Sequence, residues 1–139
     1  MREILFRGKC KDNGEWVEGN YGEYYGEYSC ISILSKKTMS GSWCYDVIPE
    51  TVGQYTGLCD KNGTKIFEGD IVKIIDGKEI FIAAVKFGDY NQPDKILKTH
   101  IGFYFDISNL ASYRKDMGYW FGKTFSEIEV IGNIHELNK

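Results

Sequence analysis

Three acids, Asp60, Glu68 and Asp70, gather around turn residues in the run Gln54-Tyr55-Thr56-Gly57-Leu58-Cys59-Asp60-Lys61-Asn62-Gly63-Thr64-Lys65-Ile66-Phe67-Glu68-Gly69-Asp70-Ile71-Val72. Carboxylates in such a group can act as general acids or bases, or hold a divalent cation. An EF-hand loop needs D-x-[DN]-x-[DN]-G with glutamate at position twelve. Asp60 and Asn62 fit its first and third places, but Gly63 arrives two places early and Thr64 fills the fifth, so the motif fails. A hydrolase would draw on Glu68 and Asp70, with His135 in support. Neither histidine, His100 or His135, belongs to a catalytic motif, and no G-x-S-x-G elbow, H-E-x-x-H, Walker loop or G-x-G-x-x-G occurs. The residues therefore point away from an enzyme, and no catalytic residue, cofactor or metal is assigned.

Tyr55, Thr56, Asp60, Asn62, Glu68 and Asp70 admit two readings. Together they would make a polar binding surface. Taken singly they are turn formers: Asp60 and Asn62 can bond their own backbone, and Gly63 takes the positive φ. Turn chemistry accounts for nearly every position, so the architectural reading is preferred.

A second group is the segment Asp12–Tyr28, which carries Asp12, Glu15, Glu18, Glu23 and Glu27 with no lysine or arginine. Trp16, Tyr21, Tyr24, Tyr25 and Tyr28 are interleaved with the acids. Carboxylates attract cationic partners and rings offer stacking or cation–π contact, so these five aromatics form a candidate protein interface. The same pattern also suits a β-hairpin with rings inward and glutamates outward, which keeps an edge strand soluble.

Cys10, Cys30, Cys44 and Cys59 are dispersed without a C-x-x-C pair. Structural zinc draws on closely spaced pairs, and disulfides belong to oxidising compartments. The expectation is four small thiols, mostly buried.

The elements that must position these groups are strands. The 139-residue chain has 16 glycines spread along it, with β-branched and aromatic residues between them. Strands are expected at Ile4–Lys9, Trp16–Tyr21, Tyr28–Leu34, Trp43–Ile48, Ile71–Ile75, Ile80–Phe87, Gly102–Asp106 and Glu129–Glu136. The fold class is all-β and mainly antiparallel. Asp12-Asn13-Gly14 predicts a type I′ hairpin, Asp60-Lys61-Asn62-Gly63 repeats the cue, and Asp76-Gly77 marks the clearest hairpin. Pro49 should close the fourth strand. Helix is limited to one turn at Asp94–Lys98 and a short helix at Ser108–Met117, ended by Gly118. The chain reads as a single domain, 1–139. A possible subdivision gives an N-terminal sheet or barrel portion, 1–52, and a small portion, 53–139, that looks like an SH3-like barrel.

Seventeen basic against twenty acidic residues leave a net charge of -3, which disfavours broad electrostatic binding to DNA. The opening residues lack the apolar stretch of a signal peptide, and no run approaches the ~20 residues of a spanning helix. A cytoplasmic protein with no membrane contact is expected.

The run from Gln54 to Val72 resembles the signature of the YopX-like family, small proteins of bacteriophages and prophages. Met1–Gly8, Val47–Gly53 and Ile128–Glu136 match the same pattern in the same order, whereas Tyr21–Ser42 and Tyr90–Lys123 match less clearly. The resemblance implies a largely β fold and a phage or prophage origin in a bacterial host. It implies no activity.

The leading expectation is a non-catalytic interaction module that binds itself, as a homo-oligomer, or a host protein. A nucleic-acid-binding barrel using Lys73, Lys78, Lys86, Lys95, Lys98, Phe87 and Tyr90 is the first alternative. The hydrolase built on Glu68 and Asp70 is the second.

Overall fold

The computed structural model describes residues 3–24, 28–34, 42–91, 99–107, 116–122 and 126–136. The chain divides into two compact units, Met1–Gly57 and Leu58–Lys139. Both are built from antiparallel sheet.

In the first unit the strands are β1 (Phe6–Lys9), β2 (Trp16–Tyr24), β3 (Tyr28–Leu34), β4 (Ser42–Asp46) and β5 (Gly53–Cys59), which runs across the division. They are ordered β4-β3-β2-β1-β5. The Asn13-Gly14 pair does not form the two-residue turn expected of it. Cys10 N donates to Glu15 O (2.8 Å) and Gly14 N to Cys10 O (3.0 Å), closing a longer loop. Asn13 Oδ1 accepts the Glu15 N–H at 2.9 Å, and Gly14 supplies a φ of 71°. The asparagine side chain thus takes over a bond that a tight turn would have made between backbones.

Pro49 opens a 3₁₀ turn, Pro49–Thr51, after β4 has ended at Asp46. The buried Thr51 hydroxyl donates to Ile48 O (2.6 Å) and accepts from Lys9 N (2.9 Å), pinning this turn to β1. Gly8 leaves room for Val47, since a Cβ there would lie 3.1 Å from the valine side chain. Cys10, Cys30, Ile31, Val47 and Tyr55 are buried in this unit.

One expectation about cysteine is overturned. Cys30 and Cys44 form a disulfide, with Cα atoms 6.0 Å apart. The β3–β4 register sets Cys30 opposite Asp46 and Ser32 opposite Cys44, so the link runs diagonally between adjacent strands. Spacing along the chain carries no sign of this, because strand pairing and not a local turn brings the sulfurs together. Cys10 is buried as a thiol, and Cys59 is exposed.

The second unit contains β6 (Lys65–Phe67), β7 (Asp70–Asp76), β8 (Glu79–Asn91), β9 (Thr99–Asp106), α1 (Met117–Gly122) and β10 (Ser126–Asn133). Its four-stranded sheet is ordered β10-β7-β8-β9. Asp76 pairs with Glu79, leaving Gly77-Lys78 as the two-residue loop, with Gly77 at φ 63°. Alternation buries Val72 and Ile74 on β7 and Phe81, Ala83 and Val85 on β8. Phe105, Ile128, Ile66, Ile107 and Met117 pack with them, and Trp120 closes the core, its ring 5.6 Å from Phe81. Burial of side chains this large is the main stabilising contribution, roughly 1.5–3 kcal/mol for each.

The helix differs from expectation. Residues 108–115 and Asp94–Lys98 lie outside the described residues, and α1 begins at Met117 and includes Gly118. Asp116 Oδ2 accepts the Tyr119 N–H at 3.2 Å and so caps the N-terminus of α1. The strands β5 and β6 were not among those expected, because Gly57 and the polar Gln54 and Thr56 break the apolar signal. β8 also continues four residues beyond Phe87. Past Ala84 it no longer pairs with β7, and it continues with β9 as a ribbon in which Gly88 faces Gly102. Both glycines hold a φ near +155° (153° and 156°), a conformation that other residues rarely adopt.

Candidate functional site

Asp60 follows the last residue of β5 and is buried. Its Oδ1 accepts from Asn62 N and Thr64 N, each at 2.9 Å, and Gly63 N donates to Asp60 O at 3.0 Å with Gly63 at φ 81°. Local turn chemistry therefore bends the chain back into β6. The remaining oxygen, Oδ2, reaches across 70 positions to accept the Val130 N–H at 2.9 Å. Lys61 N donates to Ile128 O at 3.0 Å on the same strand. The turn thereby covers the β10 edge of the sheet, a row of backbone groups that would otherwise invite another strand. Burial acts to raise the Asp60 carboxyl, but the Val130, Thr64 and Asn62 N–H donors and the Lys61 ammonium outweigh it and hold it below its ordinary value. Lys61 continues outward to Glu127 (3.3 Å) and Glu129 (3.8 Å), and Glu129 also meets Lys73 at 3.8 Å.

Glu68, Gly69 and Asp70 form the second turn. Gly69 holds a φ of 93°, its N–H donates to Val85 O at 2.8 Å, and its carbonyl accepts from Ile134 N at 2.9 Å. Asp70 is 1% exposed; Oδ2 accepts from Phe67 N (2.8 Å) and Oδ1 from Asn133 Nδ2 (3.3 Å). Asn133 Oδ1 in turn accepts the His135 N–H at 2.9 Å. Asp70 and Asn133 face each other in the β7–β10 register, so a buried acid and a buried amide fasten the ends of the two strands. Asn133 lay outside the sequence-based candidates, although it stands in the closing segment that matched with Asp70's motif. Half-buried Glu68 has its carboxyl pushed up by burial.

The six residues of the candidate polar surface therefore occupy different settings. Tyr55 is buried and Thr56 half-buried in the first unit; Asp60 and Asp70 are buried, Glu68 half-buried and Asn62 exposed in the second. Among the described residues no group of three His, Cys, Asp or Glu side chains is placed to hold a metal ion. A cleft of about 240 Å³ opens beside the first turn, lined by Cys59, Asp60, Lys61, Trp120, Phe121 and Ile128.

Of the candidate interface aromatics, Trp16 is half-buried under the Arg7 guanidinium, 4.8 Å from the ring centroid. Tyr21 is half-buried against Phe6 at 5.8 Å and donates its hydroxyl to Glu23 at 2.8 Å. Tyr25 lies outside the described residues, as do the side chains of Tyr24 and Tyr28. The lysines of the nucleic-acid alternative are similarly divided. Lys73 pairs with Glu129, Lys86 donates to Asp106 at 2.6 Å, and Lys95 and Lys98 lie outside the described residues. The bond to Asp106 holds the Lys86 ammonium above its ordinary value.

The side chains that sequence reasoning passed over are apolar and face solvent. Ile80 and Ile82 are 63% and 53% exposed on the side of β8 opposite Phe81 and Ala83. Phe87 continues the inward alternation beyond the core and is 55% exposed, edge-on to Phe103 at 5.0 Å. Ile101, opposite Asp89, is 75% exposed. The signal was present in the run Ile80-Phe81-Ile82-Ala83-Ala84-Val85: unbroken apolar character on an antiparallel strand means that both faces are apolar. On the ribbon, Tyr90 stacks on His100 at 5.4 Å and on Tyr104 at 5.1 Å.

Antiparallel sheets, one lone short helix among the described residues and turns closed by buried acids define an all-β protein. Among the described residues, no helix is long and apolar enough to cross a membrane. The family model described as YopX protein matches residues 5–138, and the chain belongs to that family. A similar solved structure is protein EF1440 from Enterococcus faecalis, with a TM-score of 0.54 and 20% identity over 100% of each chain. At that identity the likeness shows a shared fold. No curated protein matches the chain.

Proposed function

We propose that this protein is a non-catalytic interaction module of phage or prophage type, acting in the host cytoplasm by binding a second protein, itself or a host factor. The observation that carries the reading is the solvent-facing apolar pair of β8: Ile80 and Ile82 are each more than half exposed, on the side of the strand opposite Phe81 and Ala83. A sheet with one solvated face normally keeps that face polar, and contiguous apolar surface marks a place where another molecule docks. The SH3-like reading of the second unit belongs to the same proposal, as a rigid platform for this surface.

The alternatives draw less support. Lys73 and Lys86 already answer carboxylates, which leaves less cationic character for a phosphate backbone. Both Asp70 oxygens accept hydrogen bonds within the fold, which removes them from substrate chemistry. Size-exclusion chromatography with light scattering over a tenfold concentration range tests self-association. A mass rising above one chain, and returned to one chain by Ile80→Thr with Ile82→Thr, is expected for the self-binding form. A constant single-chain mass removes that form. Host-lysate capture then tests the hetero-partner, and equal capture by the wild type and the Ile80→Thr, Ile82→Thr variant rejects the surface.

A further inference from the structure

We propose that the Cys30–Cys44 pair is a thiol-exchange site, opened from solution at the Cys44 sulfur by a small peptide thiol of the glutathione type. The strand order places β4 at the end of the sheet with β3 inside it. Cys44 is exposed on β4, whereas Cys30 is buried on β3. Exchange requires a thiolate to attack one sulfur and expel the other, so access decides which sulfur is attacked. Attack from solvent reaches Cys44 Sγ and makes Cys30 the leaving group.

The step balances with two equivalents of the peptide thiol. The first thiolate bonds to Cys44 Sγ; the Sγ–Sγ bond breaks, and its electron pair leaves on Cys30 Sγ, which takes a proton from water. The second thiolate attacks the peptide sulfur of this mixed disulfide, releasing the oxidised peptide disulfide and a Cys44 thiolate, which is then protonated. Two thiols are oxidised as one protein disulfide is reduced. Cys10, the other cysteine of this unit, does not compete as an internal nucleophile. Burial, then the charges of Asp12 and Glu15, hold its thiol above the ordinary value and keep it protonated.

Opening the bond has a structural consequence. Beyond the disulfide, β4 is held by its ladder with β3, by the bond from Lys11 N to Asp46 O (3.0 Å) and by the Cys10–Val47 bridge. Removing the cross-link frees the unfolded hairpin and lowers the stability of this end strand. Lifting β4 bares the outer backbone groups of β3, which then present an edge for another strand. The redox state of the surroundings would thereby set how readily the first unit accepts a strand.

The test uses the full wild-type chain in native buffer with millimolar reduced glutathione, quenched with N-ethylmaleimide and mapped by peptide mass spectrometry. Glutathione is expected on Cys44 in about tenfold or greater excess over Cys30, following the difference in access. Hydrogen exchange should then quicken about tenfold or more at the amides of Ser42–Asp46, with β7 and β8 unchanged, because local opening and core opening are separate events. Adducts mainly on Cys30, exchange that proceeds only in urea, or unaltered β4 amides after reduction would each overturn the proposal.

Discussion

Replacing Asp60 with asparagine isolates the bond that ties the signature turn to β10. The amide oxygen can keep both short-range bonds, from Asn62 N and Thr64 N, by taking the place of Oδ1. Its NH₂ group then stands where Oδ2 accepted the Val130 N–H. A donor meets a donor, and the Val130 amide loses its partner. The variant thus forfeits one charge-assisted bond and weakens two others. It also leaves a backbone donor unsatisfied, so a loss of about 2–4 kcal/mol follows. That is a large fraction of the ~5–15 kcal/mol that holds a typical domain together. With a urea dependence of ~2 kcal/mol per molar, the midpoint should fall by about 1–2 M at unchanged slope. Site-resolved hydrogen exchange during the titration assigns the transition, with the Ile74 and Val85 amides reporting the second unit and the Val130 amide losing protection first. A variant within about 0.5 kcal/mol of the wild type, the scatter expected of an ordinary surface substitution, would refute the account of this turn.

Acid titration separates two carboxyls of opposite behaviour. Asp60 is held low when folded, so its stabilisation is present above the unfolded carboxyl pKa and is lost as pH falls through the lower, folded one. Glu68 is held high, so its contribution is intact below the unfolded value and is lost as pH rises through the raised folded one; Glu68→Gln should flatten that upper limb in a series of melting curves. Gly69→Ala places a side chain at a φ of 93°, where no atom lies closer than 3.6 Å to the new Cβ, so backbone strain of about 1–2 kcal/mol is the expected loss in chemical denaturation. Trp120→Ala empties the centre of the second core and should destabilise that unit by about 3–5 kcal/mol, read as lost protection at Phe81, Val85 and Phe105.

The strands at Tyr28–Leu34 and Ile71–Ile75 were legible because β-branched and apolar residues fall between turn signals. The Asp76-Gly77 hairpin was legible because two residues are all that such a loop needs. The roles of Asp60 and Asn62 as turn formers could also be read from local chemistry. Asp60's second task could not, since Val130 is 70 residues away and nothing in a turn sequence announces a distant donor. Asp70 with Asn133 and Cys30 with Cys44 were hidden for the same reason: both pairs exist only once strand registers are set. Gly118 was read as a helix stop from its residue type alone, whereas it lies inside α1, which Asp116 caps at its start. The exposed isoleucines of β8 went unremarked because their apolar run was weighed only against the length of a membrane span, without asking whether both of its faces had something to cover them.

The crossing of Gly88 and Gly102 has a further meaning for how this molecule can be altered. Two opposed positions without side chains make a crease in a two-stranded lever, and the Tyr90 ring, laid against Tyr104 on the other side of it, acts as a splint. Since β7 is left behind at Ala84, material distal to the crease is trimmed or lengthened in matched pairs, Tyr90 with His100 or Asn91 with Thr99, without shifting the inward alternation of Phe81, Ala83 and Val85. The paired positions Tyr90 with His100 and Asn91 with Thr99 are accordingly the natural place to attach a spectroscopic label to this scaffold.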